Sequence, residues 1–215
     1  MEKRKYVLFD FDGVIADSWQ VAYDTAKTVF PSIQEKSYRS MFEGNVYEAH
    51  EERVAKEKPE RAADEDWFSI YTPMFEEKAR LFPGIEKVIE DLSHDYILII
   101  VSSTITSPIQ GFLERHHIGR YFSEVMGADV HTSKHEKIQM IFKKYETSAK
   151  DCVFITDTLG DIREAKKAEV GAIGVAWGFH TKETLKEGEP FRIVDTPSDI
   201  TASVREYFLH SSDKS

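Results

Sequence analysis

Cysteine is almost absent from this chain. Cys152 stands alone among 215 residues, which excludes an internal disulfide. Its neighbours Val153 and Phe154 are apolar, so it reads as a buried thiol rather than a reactive one. Positive charge is also scarce: 28 lysines and arginines face 38 aspartates and glutamates, for a net charge of −10. That balance repels phosphate backbones at long range and argues against nucleic acid as a partner. It leaves room for a small phosphorylated metabolite, because a metal ion and one lysine reverse the field inside a cleft. Long hydrophobic runs are missing too. The basic start Met1-Glu2-Lys3-Arg4-Lys5 leads into an apolar stretch that ends at Asp10, too short for a signal peptide or a membrane span. A cytoplasmic protein that does not enter a membrane is expected. There is no internal repeat and no low-complexity tract, and oligomeric state stays open.

What is present is enough for a packed core: 41% of residues are hydrophobic and 12% aromatic. Five short apolar runs read as strands: Tyr6–Phe11, Tyr96–Val101, Glu124–Gly127, Cys152–Thr156 and Ala172–Ala176. Helical spacing appears between them, in Ile85, Val88, Ile89 and Leu92, in Ile109, Phe112, Leu113 and His116, and in Ile138, Ile141, Phe142 and Tyr145. Strands alternating with helices predict an α/β fold, a Rossmann-like three-layer sandwich with a parallel sheet. The stretch between the first strand and Leu81-Phe82-Pro83-Gly84 breaks that alternation. Ile15, Trp19, Ala22, Ala26 and Val29 share a helical face there, Pro31 ends it, and a charged helix follows over His50–Lys58. This predicts a core domain of residues 1–15 and 81–209, a small helical domain of residues 16–80, and a flexible tail from 210 to 215.

Carboxylates mark the chemistry. Tyr6 to Phe9 end in Asp10-Phe11-Asp12-Gly13, and residues two apart on a strand point to one side. In an open parallel sheet, ligands bind outside the carboxyl ends of the strands. Two acids placed there repel each other and lose hydration, which calls for a cation. A second set, Asp157 and Asp161, follows the strand Val153-Phe154-Ile155-Thr156. Alone, Asp161 reads equally as a helix N-cap. Together the four carboxylates make an oxygen-rich site for a hard cation such as Mg²⁺. Ser102-Ser103-Thr104 follow another strand and offer hydroxyls and amides to an anion, although serines at such ends are commonly turn-formers. Lys134 lies near a helix N-terminus, where its charge is unfavourable for the helix itself, and this directs it toward an anion.

In this order, Asp10-Phe11-Asp12-Gly13-Val14, Ser102, Lys134 and Asp157-Thr158-Leu159-Gly160-Asp161 resemble the haloacid dehalogenase superfamily over nearly the whole chain. Phe9 to Ser18 are similar to the start of its phosphoglycolate-phosphatase-like branch, and the helical insertion corresponds to that branch's cap. The resemblance implies a Mg²⁺-dependent phosphatase acting on a small phosphomonoester. Asp10 would be the nucleophile that forms an aspartyl-phosphate, and Asp12 the acid and then the base. Mg²⁺ would be held by Asp10, the Asp12 carbonyl and Asp157, with Asp161 orienting a bound water or Lys134. Ser102 and Lys134 would bind phosphoryl oxygens, with Ser103 and Lys137 as alternatives for those two roles. Departures from the family pattern are Val14 where many relatives have threonine, His135 in place of a proline after Lys134, and Thr156 in place of a glycine.

An acid at Asp12 fits an oxygen leaving group that needs a proton, which separates a phosphatase from a dehalogenase releasing halide. A phosphomutase of the same fold and a catalytically idle binding protein are the alternatives. In the expected cap, Arg39 within Tyr38-Arg39-Ser40-Met41-Phe42-Glu43-Gly44-Asn45 is a candidate for an anionic group on the substrate. Trp67, Phe68, Tyr71 and Phe75 lie at helical spacing and read first as the cap's own core, second as a substrate platform. His180, after the last strand, reads as a loop histidine.

Overall fold

Apolar, β-branched runs such as Ile97-Leu98-Ile99-Ile100-Val101 pack on both faces only inside a sheet covered by helices on each side. The computed structural model describes residues 4–57 and 63–212. Its elements run β1 (Tyr6–Phe9), β2 (Ala16–Asp17), α1 (Trp19–Val29), α2 (Glu35–Ser40), α3 (Val46–Glu57), α4 (Ala63–Lys78) and β3 (Arg80–Leu81). There follow α5 (Ile85–Ser93), β4 (Ile97–Val101), α6 (Thr106–Arg115), β5 (Phe122–Met126), α7 (Lys134–Tyr145) and β6 (Cys152–Thr156). The last are α8 (Leu159–Lys167), β7 (Gly171–Val175), α9 (Lys182–Lys186), β8 (Arg192–Val194) and α10 (Ser198–Ser212).

Six strands form one parallel sheet in the order β5-β4-β1-β6-β7-β8, the predicted α/β arrangement. The chain order reverses beside β1, which is where such sheets open a crevice. Register then aligns the strand ends. Phe9 lies opposite both Ile100 and Ile155, so Asp10 leaves the sheet level with the ends of β4 and β6. Ser102 and Asp157 each follow directly after those two strands. Alternation along β1 divides the interior into two layers. Val7 and Phe9 face a core shared with Ile85, Ile109 and residues of α1 and α4. Tyr6 and Leu8 face Ile138 and Ile141 of α7 and Ala165 of α8.

The expected elements differ in detail for local reasons. β1 stops at Phe9 because the chain turns at once: the amides of Ile15 and Ala16 both donate to the Phe11 carbonyl, at 2.9 and 3.0 Å. α3 begins at Val46, ahead of the charged run, because Asn45 Oδ1 accepts from the amides of Tyr47 and Glu48. Lys58, the expected end of that helix, lies outside the described residues. β8 was not foreseen; it is a three-residue edge strand with an exposed arginine. Residues 210–212 continue α10 where a tail was expected, and 213–215 lie outside the described residues. The helical segment α1–α4 enters and leaves through adjacent strands, since β2 and β3 pair antiparallel with Ala16 opposite Leu81. Among the described residues, no helix is long and apolar enough to cross a membrane.

Candidate active site

The end of β1 puts Asp10 in the interior, and burial there pushes its carboxyl well above its ordinary range, a push that the charge of Lys134 only partly counters. Lys134 is the first residue of α7 and is itself buried. Its ammonium lies 2.8 Å from Asp10 Oδ1 and 2.6 Å from Asp161 Oδ2. Burial works against that charge, but the two carboxylates outweigh it and hold the lysine above its usual value. The Phe11 amide also donates to Asp10 Oδ1 at 2.7 Å, which fixes the rotation of the carboxylate. Asp161 is not a helix N-cap. Thr158 takes that role in α8, its hydroxyl accepting from the Asp161 amide, and Asp161 turns inward one position short of a full turn. Burial opposes its charge, yet Lys134 and the hydroxyl of Thr156, donating at 2.7 Å, keep it below its ordinary value. The threonine that departs from the family pattern thus holds one of the acids.

Asp157 is wedged between two glycines. A Cβ at Gly13 would fall 1.9 Å from Asp157 Oδ2, and one at Gly178 would fall 2.3 Å from Asp157 Cβ. Gly13 also has φ +74°, a conformation that glycine adopts at little cost. The Phe179 amide donates to Asp157 Oδ2 at 2.7 Å, whereas Oδ1 is buried without a hydrogen-bond partner. Burial pushes this carboxyl up to about 7. An orphaned, buried carboxylate oxygen is costly unless something binds it. Ligand atoms of Asp10, Asp157 and Asp161 all lie within 4.8 Å of one another, an all-oxygen set suited to a hard divalent cation. These residues fit such an ion, which would take up the free Oδ1 and offset the excess of carboxylate over the single lysine.

Asp12 stands apart from that cluster. Its carboxylate accepts from hydroxyls only: Oδ1 from Ser18 at 2.7 Å and from Tyr71 at 2.5 Å, Oδ2 from Thr104 at 2.7 Å. Tyr71 belongs to α4, so a residue of the helical segment reaches the second acid of the core. Burial, reinforced by the charge of Asp12, holds the Tyr71 phenol well above its ordinary value, so it stays a donor. Other contacts close this segment on the core. Tyr47 donates to the Ser103 carbonyl at 2.6 Å, Asn45 to the Thr132 carbonyl at 3.2 Å, and Arg163 to the Glu43 carbonyl at 2.6 Å.

The cavity beneath the closed segment measures about 350 Å³, and Asp10, Asp12, Ser103, Lys134 and Asp161 all line it. Ser102 does not. It is fully buried below the turn, its hydroxyl oxygen accepting from the Thr104 amide. Lys137 is drawn into the structure rather than the cavity: its ammonium donates to the carbonyls of Ser102 at 2.5 Å and Gly127 at 3.4 Å. Burial, with the charge of Lys134 adding to it, lowers that lysine to about 7. Arg39 is likewise outside the cavity lining. It pairs with Glu35, stacks on Trp19 and donates to the Phe179 carbonyl, which braces the loop that holds Asp157. His180 is buried and bridges the same elements, its Nδ1 accepting from the Leu159 amide at 3.0 Å and its Nε2 meeting the Arg39 carbonyl at 2.9 Å. Trp67, Phe68 and Tyr71 line the cavity, while Phe75 packs inward on Phe11 and Phe112.

Sequence reasoning singled out the acids and the lysine but missed Ser18, Tyr71 and Thr104 as partners of Asp12, and Thr156 and Phe179 as holders of the acids. A hydroxyl at the end of β4 was the one visible signal, and it pointed to an anion rather than to Asp12.

Comparison with known proteins agrees with this geometry. Residues 7–175 match the model of the haloacid dehalogenase-like hydrolases. A phosphoglycolate phosphatase of Vibrio cholerae is 26% identical over 231 residues, covering 99% of this chain and 100% of that one. A probable phosphatase, IndB, of Dickeya dadantii is 32% identical over 136 residues, covering 61% of this chain and 59% of that one. The crystal structure of a predicted phosphatase from Clostridium acetobutylicum superposes with a TM-score of 0.78 at 23% identity, over 94% of this chain and 99% of that one. The chain belongs to the haloacid dehalogenase-like hydrolases, in their phosphoglycolate-phosphatase-like branch. It is an enzyme of that family, a hydrolase of the phosphoric-monoester type.

Proposed function

We propose that this enzyme hydrolyses a small-molecule phosphomonoester through a phosphoaspartate on Asp10. The observation that carries the reading is the convergence of Asp10, Asp12, Lys134 and Asp161 on one cavity, beside an Asp157 oxygen with no partner. Asp10 attacks phosphorus, forming the Asp10 O–P bond as the ester P–O bond breaks, and Asp12 gives its proton to the departing alkoxide. Water then attacks the phosphoaspartate, Asp12 takes the proton from that water, and inorganic phosphate leaves with Asp10 restored. The phosphoryl oxygens rest against Lys134 and the Ser103-Thr104 turn, with Ser102 buried beneath it.

Mg²⁺ is the proposed cofactor; Asp10, Asp157 and the Asp12 carbonyl would hold it, with Asp161 and Lys134 alongside. When bound, it supplies charge neutralisation between carboxylate and phosphoryl group. Residues 16–80 act as the cap, and Tyr47, Asn45 and Tyr71 hold it shut, which excludes bulk water from the phosphoaspartate. Arg39 serves the fold of this cap and not the substrate.

The test is phosphate release from a panel of phosphomonoesters, with and without Mg²⁺, by the wild-type protein and by Asp10→Asn. Release that requires Mg²⁺ and disappears in Asp10→Asn supports the reading. Equal release by the variant, or none by metal-loaded wild type, overturns it.

A further inference from the structure

The acids, Lys134, Ser103, Thr104 and Thr158 line the core end of the cavity, and the cap end is built largely of apolar and aromatic groups. From Asp12 outward, the rings of Tyr71 and Trp67 stack at 16° with centroids 6.4 Å apart. His50 meets Trp67 at 6.2 Å, and Phe30 meets His50 at 5.7 Å, both edge-on. Ala22, Ala26 and Ile33 face the same space. These walls lead directly away from the acid that protonates the leaving group.

Charge in the lining is one-sided. Lys134 is the only lysine or arginine among the described residues that line the cavity, and Asp10 and Asp161 both pair with it. The cap's Arg39 and Arg53 are bound to Glu35 and Glu57 and do not line it. Glu51 and Glu164 do. Three polar groups on the cap side are engaged: Tyr47 with the Ser103 carbonyl, Tyr71 with Asp12, and Asn45 with the Thr132 carbonyl. A carboxylate on the leaving group would lose its hydration and meet no unpaired lysine or arginine among the described residues, and a polyol would meet more apolar wall than hydrogen-bonding groups.

We infer that the substrate is a phosphomonoester of an uncharged alcohol with an apolar, ring-bearing body, and not a phosphorylated hydroxy acid or sugar. This rests on the phosphatase reading above and sets the chain apart from what its relatives' names denote. The phosphoryl group lies on Lys134, and the ring lies against the wall formed by Tyr71, Trp67 and Phe30, with Ala22 and Ala26 leaving it room.

The experiment compares benzyl phosphate and 2-naphthylmethyl phosphate with 2-phosphoglycolate and glycerol 3-phosphate. All four are alkyl esters, so intrinsic leaving-group reactivity does not decide the ranking. The expected kcat/KM favours the aromatic esters by about 100-fold, the scale on which burying a ring and sparing an unpaired charge act. Calorimetric binding to Asp10→Asn gives a second readout without turnover, with 2-naphthylmethyl phosphate expected to bind more tightly than phosphoglycolate. If phosphoglycolate or glycerol 3-phosphate is hydrolysed as well as the aromatic esters, the inference falls and the phosphatase reading stands. If the aromatic ester binds selectively but no ester is cleaved, the pocket assignment holds and the phosphatase reading falls. Neither selective binding nor cleavage overturns both.

Discussion

Two glycines with positive φ offer a controlled test of how Asp157, a proposed metal ligand, is held. Gly13 has φ +74° and Gly84 has φ +87°, so alanine at either pays the left-handed backbone cost of about 1–2 kcal/mol. They differ in what a methyl group would meet. At Gly84 nothing lies within 4 Å, whereas at Gly13 the new Cβ would sit 1.9 Å from Asp157 Oδ2 and 2.9 Å from Phe179 Cδ1. Neither obstacle is the loose end of a flexible side chain, because both are buried and Asp157 is tied to the Phe179 amide. Overpacking of this kind adds about 1–3 kcal/mol. Gly84→Ala should therefore destabilise by about 1–2 kcal/mol and Gly13→Ala by about 2–5 kcal/mol. In a chain of this length, each kcal/mol moves the melting temperature by about 2–4 °C. Thermal unfolding with and without Mg²⁺ reads both terms. An ion at about 100 times its Kd contributes about 2.7 kcal/mol to the wild type. Gly84→Ala should keep that increment and Gly13→Ala should lose most of it, since its methyl group displaces a ligand. Equal destabilisation by the two variants, with the Mg²⁺ response intact in both, would refute the wedged placement of Asp157.

Asp157→Asn should raise the melting temperature without metal, because burial disfavours the charge it removes, and should abolish the Mg²⁺-dependent rise. A variant that still gains stability from Mg²⁺ would show that Asp157 is not a ligand. Tyr71→Phe deletes one of three hydroxyl donors to Asp12 and should lower kcat about tenfold, the low end of a hydrogen bond to a charged group, with little change in KM. A raised KM at unchanged kcat would make Tyr71 a cavity wall only. For His180, burial lowers the folded value below the ordinary imidazole range, so the unfolded chain binds more protons as pH falls through about 6.5 and stability drops. Urea unfolding between pH 7.5 and 5.5 should show a steeper loss for wild type than for His180→Gln. Parallel slopes would contradict the neutral bridge to Leu159 and Arg39.

The acids were legible because strand ends are legible. An apolar run that stops at Asp10 or Asp157 declares both an element and its exit point, and parallel register brings the two exits together. Lys134 was legible because a lysine opening a helix runs against the helix dipole and needs a local reason. The partners of Asp12 were not. Tyr71 lies 59 residues from it and Thr104 lies 92, and their meeting depends on how a helical segment closes over a sheet. Helical spacing in Trp67, Phe68 and Tyr71 defines one face of α4, but periodicity does not say whether that face meets other side chains or a cavity. Arg39 shows the converse: a cation in the expected cap carries no mark of its partners, and here Glu35, Trp19 and the Phe179 carbonyl take all of it. β8 stayed hidden because three residues with an exposed arginine lack the apolar alternation of a strand.

The division of labour between core and cap follows from the same geometry. Thr104 orients Asp12 from the core, and Ser18 does so from the entry to the cap, directly after β2, which pairs with the returning β3. Tyr71 arrives only with α4, and on the oxygen that Ser18 already occupies. Lifting the proposed cap would therefore remove the Tyr71 donor from Asp12, the proposed proton-transferring acid, and would admit water beside it, while Asp10, Lys134 and Asp161 would keep the contacts that lie within the core. The proposed nucleophile Asp10 and the acids beside it thus keep contacts that do not depend on the cap, whereas Asp12, the proposed acid–base group, has one that does. On the proposed reading, an open cap would admit substrate with Asp10 already in place, and closure would complete the donors around Asp12 as the cavity walls enclose the leaving group.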